Sequence, residues 1–178
     1  MTDPRPSRIL AVDDDPDLLL LRSALQGDGH ETIVASNGRV ALDLIGEQEP
    51  DVVLLDLMMP VMDGWGVLRT LADRAVRPRV IVLSAKTADE DIARAFELGA
   101  TEYIVKPFDP SHLLGTVREV LDLTDEEAHT KREEGIFVGF LGLVDMYRRN
   151  FEGIVSLGDD LLAGDAFLIL LDMDHQHV

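Results

Sequence analysis

The chain has 178 residues, with 16 Lys+Arg against 34 Asp+Glu, a formal net charge of -18, and 46% hydrophobic residues. That length fits one domain of ordinary size plus a small appendage, and the apolar content is enough for a core. The charge repels nucleic-acid phosphates and anionic membrane surfaces, so neither is an expected partner, and the lack of cysteine excludes disulfides, thiolate metal sites and cysteine nucleophiles.

Strand and helix patterns alternate five times between Arg8 and Leu123. Arg8–Val12 reads as a first strand running into Asp13-Asp14-Asp15. Asp15-Pro16 then reads as N-cap and first position of a helix over Leu18–Leu25, stopped by Gly27-Asp28-Gly29. Glu31–Ser36 is the second strand, and Asn37 caps a helix from about Gly38 to Glu47. The apolar run Val52-Val53-Leu54-Leu55 reads as a strand buried on both faces and ends in Asp56. Gly64, a backbone requirement rather than a chemical group, opens a helix through Leu71. Val80–Leu83 runs into Ser84, and Thr87 is read as the cap of a helix through Leu98 with Asp89, Glu90 and Asp91 in its first turn. Glu102–Val105 is the fifth strand, running into Lys106-Pro107-Phe108, and Asp109-Pro110 starts the fifth helix. This alternation with short connections predicts an α/β, flavodoxin-like doubly wound fold, a five-stranded parallel sheet in the order 2-1-3-4-5.

No helix-length stretch is apolar enough to span a membrane and Met1–Pro6 has no apolar signal region, so a cytoplasmic protein is expected. In open α/β sheets the chemistry gathers beyond the carboxyl ends of the strands. There the pattern places Asp13, Asp14, Asp56, Ser84 and Lys106. Three acids brought together call for a cation, and hard oxygen donors without histidine favour Mg²⁺. A carboxylate beside Mg²⁺ is a nucleophile for phosphorus, and the growing negative charge calls for a lysine and a hydroxyl.

Four separated motifs agree: Val12-Asp13-Asp14-Asp15, Asp56-x-Met58-Met59-Pro60-x-Met62-Asp63-Gly64, Ser84-Ala85-Lys86 and Lys106-Pro107-Phe108. With them the chain resembles the receiver domain of two-component response regulators over roughly Arg8–Leu123. The resemblance implies that Asp56 is the phosphoacceptor and that Asp13, Asp14, Asp56 and the Met58 carbonyl hold Mg²⁺. It further implies that Ser84 is the switch hydroxyl, Lys106 the phosphate-pairing lysine and Tyr103 the aromatic switch, and that the Lys106-Pro107 bond is cis.

Beyond Leu123 the chain holds 12 acids and 4 bases. Residues 124–134 read as a charged linker or helix extension. Residues 135–178 form a short segment of unassigned fold, with apolar runs at Ile136–Leu141 and Ala166–Leu171 that must bury somewhere. Leu143–Glu152 and Leu170–His175 resemble the opening of a diguanylate cyclase (GGDEF) domain, with Asp172 matching a metal ligand. Gln176 and His177 depart from that pattern, its nucleotide-binding signature is missing, and His175 and His177 read as a frayed polar terminus. The reading is a phosphoacceptor switch of a two-component phosphorelay. A sensor histidine kinase charges Asp56, and the output is protein association, including with a second copy of the chain. It is not a conventional enzyme, since it catalyses only its own phosphoryl transfer and hydrolysis. The alternatives are a receiver joined to a degenerate diguanylate cyclase module and a DNA-binding transcription regulator, the latter disfavoured by an acidic tail without a basic helix-turn-helix.

Overall fold

The computed structural model describes residues 6–15, 18–74 and 77–150. In chain order they form β1 (Arg8–Val12), α1 (Leu18–Gly27), β2 (Glu31–Ala35), α2 (Gly38–Gln48), β3 (Val52–Asp56), α3 (Gly64–Ala72), β4 (Arg79–Ser84), α4 (Asp89–Glu97), β5 (Glu102–Val105), α5 (Pro110–Asp122) and α6 (Asp125–Asn150). The five strands make one sheet in the order β2-β1-β3-β4-β5, every pairing parallel.

The alternation of side chains along each strand divides the core into two layers. Leu10, Val12, Val53, Leu55, Val80 and Val82 face α2, α3 and α4, whose Ala41, Ile45, Val67, Leu68, Leu71 and Phe96 meet them. Ile9, Val52, Leu54, Ile81 and Leu83 face the other way, onto Leu25 of α1 and Leu113, Val117 and Val120 of α5. Every residue of β3 is buried, as the unbroken apolar run implies for a strand covered on both faces. The order of strands reverses between β1 and β3, and the register Val12↔Leu55 sets the residue after β1 beside the last residue of β3. Asp13 and Asp56 therefore meet in the crevice where doubly wound sheets hold their ligands.

Helix starts follow local chemistry. The Asn37 side chain accepts from the amides of Arg39 and Val40, and Asp109 accepts from the Ser111 amide with Pro110 at the head of α5. At α3 it is Asp63 that caps, accepting from Gly66 N at 2.8 Å. Thr87 is not the cap of α4: Ala88 holds that position without a side-chain bond, because the helix begins one residue later. The first-turn acids Asp89, Glu90 and Asp91 supply the favourable charge there instead. The assignment of Asp15-Pro16 to a cap falls at the edge of the described residues.

Leu123, in extended backbone with ψ 141, separates α5 from α6. Thr124 then forms a reciprocal capping box with Glu127: its hydroxyl accepts from Glu127 N at 3.2 Å, and Glu127 Oε2 accepts from Thr124 N at 2.7 Å. The charged stretch thus opens a helix of its own, and the apolar run Ile136–Leu141 lies within it. By backbone contacts, residues 1–143 form one unit and 144–178 a second, of which only the final turns of α6 are described. Ala166–Leu171, Asp172, His175 and His177 lie outside the described residues. Among the described residues, no helix is long and apolar enough to cross a membrane.

Candidate functional site

The site begins with two strand ends. Asp13 leaves β1 with its amide donated to Ala35 O at 3.1 Å, and its Oδ1 accepts from Asp15 N at 2.9 Å. Asp56 ends β3, and its Oδ1 accepts from Met58 N at 2.9 Å. Each acid thus has one oxygen tied to local backbone and the other free to turn inward. Both are buried, at 8% and 7% exposure, while Asp14 beside them is exposed.

Lys106 closes the arrangement. Its Nζ lies 2.7 Å from Asp13 Oδ2 and 2.8 Å from Asp56 Oδ2, bridging acids 93 and 50 residues away. Its amide donates to Ser84 O at 2.8 Å, and the Lys106-Pro107 bond is cis. Burial pulls the ammonium down, but hydrogen bonds and charge from Asp13 and Asp56 outweigh that and hold Lys106 above the ordinary lysine value. Ser84 is fully buried at the end of β4, and its Oγ accepts from Lys86 N at 3.2 Å. Tyr103, half-buried on β5, donates its hydroxyl to Lys86 O at 2.9 Å. Burial raises the phenol; a hydrogen bond with Ser84 lowers it, and the charges of Asp91 and Asp56 raise it further.

Oxygens of Asp13, Asp14 and Asp56 all lie within 4.8 Å of one another. Three carboxylates against one ammonium leave an excess of negative charge, and an all-oxygen donor set suits a hard divalent cation. The acid cluster is compatible with a divalent metal site.

The loop between β3 and α3 is shaped by two backbone demands. A Cβ on Gly64 would collide with the Asp56 carbonyl oxygen and lie 2.8 Å from Leu57 Cα, so glycine is needed for close approach, not for positive φ. Val61 has φ 68 and is 87% exposed, and Met62 N bonds to Pro60 O across it at 2.8 Å. This is the rare, strained form of γ-turn. Asp13, Asp14, Asp56, Ser84 and Lys106 gather at the carboxyl edge of the sheet, and Met58, whose side chain is exposed, meets them through its backbone, its amide on Asp56 Oδ1. Reading by sequence alone missed Asp91: treated there only as a helix-end charge, it pairs with Lys86 Nζ at 3.0 Å. The available signal was its place in the first turn after the Ser84 loop.

The family model described as response regulator receiver domain matches residues 9–118. The chain belongs to the response regulator receiver domain family. The receiver is 44% identical over 122 residues to the DNA-binding response regulator MtrA of Mycolicibacterium smegmatis, covering 67% of this chain and 53% of that one. It is 37% identical over 138 residues to the probable transcriptional regulator ycf27 of Porphyridium aerugineum, covering 75% of this chain and 57% of the relative. The matched part thus spans about half the length of these curated relatives. Among solved structures, the receiver is similar to chemotaxis response regulator CheY4 of Vibrio cholerae, with TM-score 0.61, 31% identity, and 65% of this chain and 99% of that one covered. It is also similar to the BeF3-activated N-terminal receiver domain of Klebsiella pneumoniae RstA, with TM-score 0.61, 30% identity, and 66% and 100% covered. Because MtrA is named as DNA-binding, the expectation from net charge that nucleic acid is no partner gains no support. The family match ends at residue 118 and lends none to the cyclase-like reading of the tail.

Proposed function

We propose that this receiver is a cytoplasmic phosphoacceptor switch in which Asp56 takes a phosphoryl group from the phosphohistidine of a sensor kinase. The observation that carries the reading is the Lys106 ammonium held between Asp13 and Asp56 at 2.7 and 2.8 Å beside the buried Ser84 hydroxyl. An Asp56 carboxylate oxygen attacks phosphorus, the P–O bond forms as the P–N bond breaks, and the imidazole nitrogen keeps the electron pair. Lys106 and Ser84 meet the charge that builds on the phosphoryl oxygens. Asp13, Asp14 and Asp56, with the Met58 carbonyl, would hold Mg²⁺, which when bound neutralises phosphoryl oxygens. The chain acts on itself alone, in transfer and in hydrolysis, and turns over no other substrate. The output is altered association through the face formed by α4, β5 and α5, including with a second copy.

A second reading, a transcriptional regulator, is favoured by the similarity to MtrA, a DNA-binding response regulator. Retardation of promoter DNA by the full chain would favour it.

The test of the first reading is intact mass after incubation with acetyl phosphate. One phosphate should be added with Mg²⁺ present, and none in chelator or in Asp56→Asn. Equal labelling of Asp56→Asn, or full labelling in chelator, refutes it.

A further inference from the structure

The first part of α6, residues 125–137, lies against α4 and β5. Ala128 is 4% exposed. Lys131 forms an ion pair with Glu102 at the start of β5. Ile136 packs against the apolar cluster that includes Phe96 and Tyr103. Gly135 sits on the face of the Phe96 ring, where an added Cβ would come within 2.5 Å of Cγ, Cδ1 and Cδ2 together.

Two routes join this contact to the acid site. Along β5, the Glu102 carboxylate that pairs with Lys131 also accepts from Tyr103 N at 3.0 Å. The Tyr103 hydroxyl reaches Lys86 O at 2.9 Å, and Lys86 N reaches Ser84 Oγ at 3.2 Å. Along α4, Lys86 holds Asp91 in the first turn at 3.0 Å, and Phe96 at the other end carries Gly135. Both α4 and β5 are short, nine and four residues, and each is bonded at one end to the Ser84 loop and at the other to α6.

We propose that α6 is an intramolecular latch on the α4–β5 face, released when Asp56 is phosphorylated. The inference rests on the reading of Asp56 as phosphoacceptor. A phosphoryl group draws Ser84 Oγ and Lys106 towards itself, and Ser84 then loses its present bond to Lys86 N. Lys86 is the shared anchor of Tyr103 and Asp91, so both routes shift together. The Gly135 contact leaves no gap against Phe96, so a displacement of a few tenths of an ångström opens or clashes it. Couplings between such sites span about 5- to 150-fold.

The test is amide hydrogen exchange in peptides covering residues 125–137 of the full chain, with and without acetyl phosphate and Mg²⁺, alongside intact mass. Exchange should quicken by about tenfold on labelling and stay unchanged in Asp56→Asn. By reciprocity, Gly135→Leu, which forces α6 off Phe96, should tighten beryllofluoride binding by about fivefold or more. Lys131→Glu, which sets two acids opposite each other, should do the same if Gly135→Leu does not fold. Full labelling with unchanged exchange in α6 overturns the latch while leaving the phosphoacceptor intact. Unchanged beryllofluoride affinity in the variants overturns it as well. No added mass on the wild-type chain brings down the phosphoacceptor reading and the latch with it.

Discussion

At the scale of single residues, the three neighbouring acids after β1 have separate positions. Asp13 is buried and bonded to Lys106, while Asp14 is exposed with an oxygen in the acid cluster. Asp15 donates its amide to Asp13 and contributes no oxygen to that cluster. Asp14→Ala should therefore weaken Mg²⁺ binding by on the order of tenfold or more, the least expected for a direct ligand, and Asp15→Ala far less. Trp65 supplies the signal, since it is 8% exposed in the first turn of α3, directly after the glycine that abuts the Asp56 backbone, with Arg94 stacked 4.9 Å from its ring centre. A fluorescence titration in which Asp15→Ala loses more affinity than Asp14→Ala would reverse this division.

At the scale of elements, α6 depends on its capping box, and pH should reveal it. Bonds from the backbone and side chain of Thr124 hold the Glu127 carboxyl below its ordinary value, against a smaller desolvation effect. A depressed carboxylate contributes stability that is fully present above the unfolded value, about 4.3, and lost as pH falls through the folded one. Glu127→Ala should thus lower helicity by circular dichroism at pH 7, and the gap to wild type should close in acid; a gap independent of pH would discount the carboxylate. The Thr124–Glu127 capping box sits in a charge block that reads equally well as a linker or as a helix extension, and only the structure separates the two. The strand ends carrying Asp13, Asp56 and Ser84 could be read because an apolar run ending in a polar residue is a local pattern. The start of α4 was misplaced by one residue because Thr87 and the acids after it both signal a helix terminus. The seat of α6 was beyond reach. A glycine inside a helix signals weakness by itself, and only the Phe96 ring shows that Gly135 marks a close approach. The bond from Tyr103 to Lys86 O was hidden for a similar reason, since a backbone acceptor leaves no mark in side-chain patterns.

At the scale of the molecule, a net charge of -18 makes the folded state work against its own repulsion. Raising NaCl from about 10 mM to about 150 mM shortens the screening length from about 30 Å to about 8 Å and should raise the thermal midpoint. Mg²⁺ at matched ionic strength should raise it further, because binding to the native acids alone shifts the folding equilibrium. Equal midpoints in Mg²⁺ and NaCl would mean that the acids bind no ion specifically. The bridge from Asp13 to Lys106 also has a meaning for synthesis. Its ends are 93 residues apart, and at about 5–20 residues per second the ribosome makes the acid roughly 5–20 s before the lysine. A nascent or prematurely ended chain that stops short of Lys106 carries the carboxylates without their ammonium, so the completed pocket also certifies that translation has passed the fifth strand.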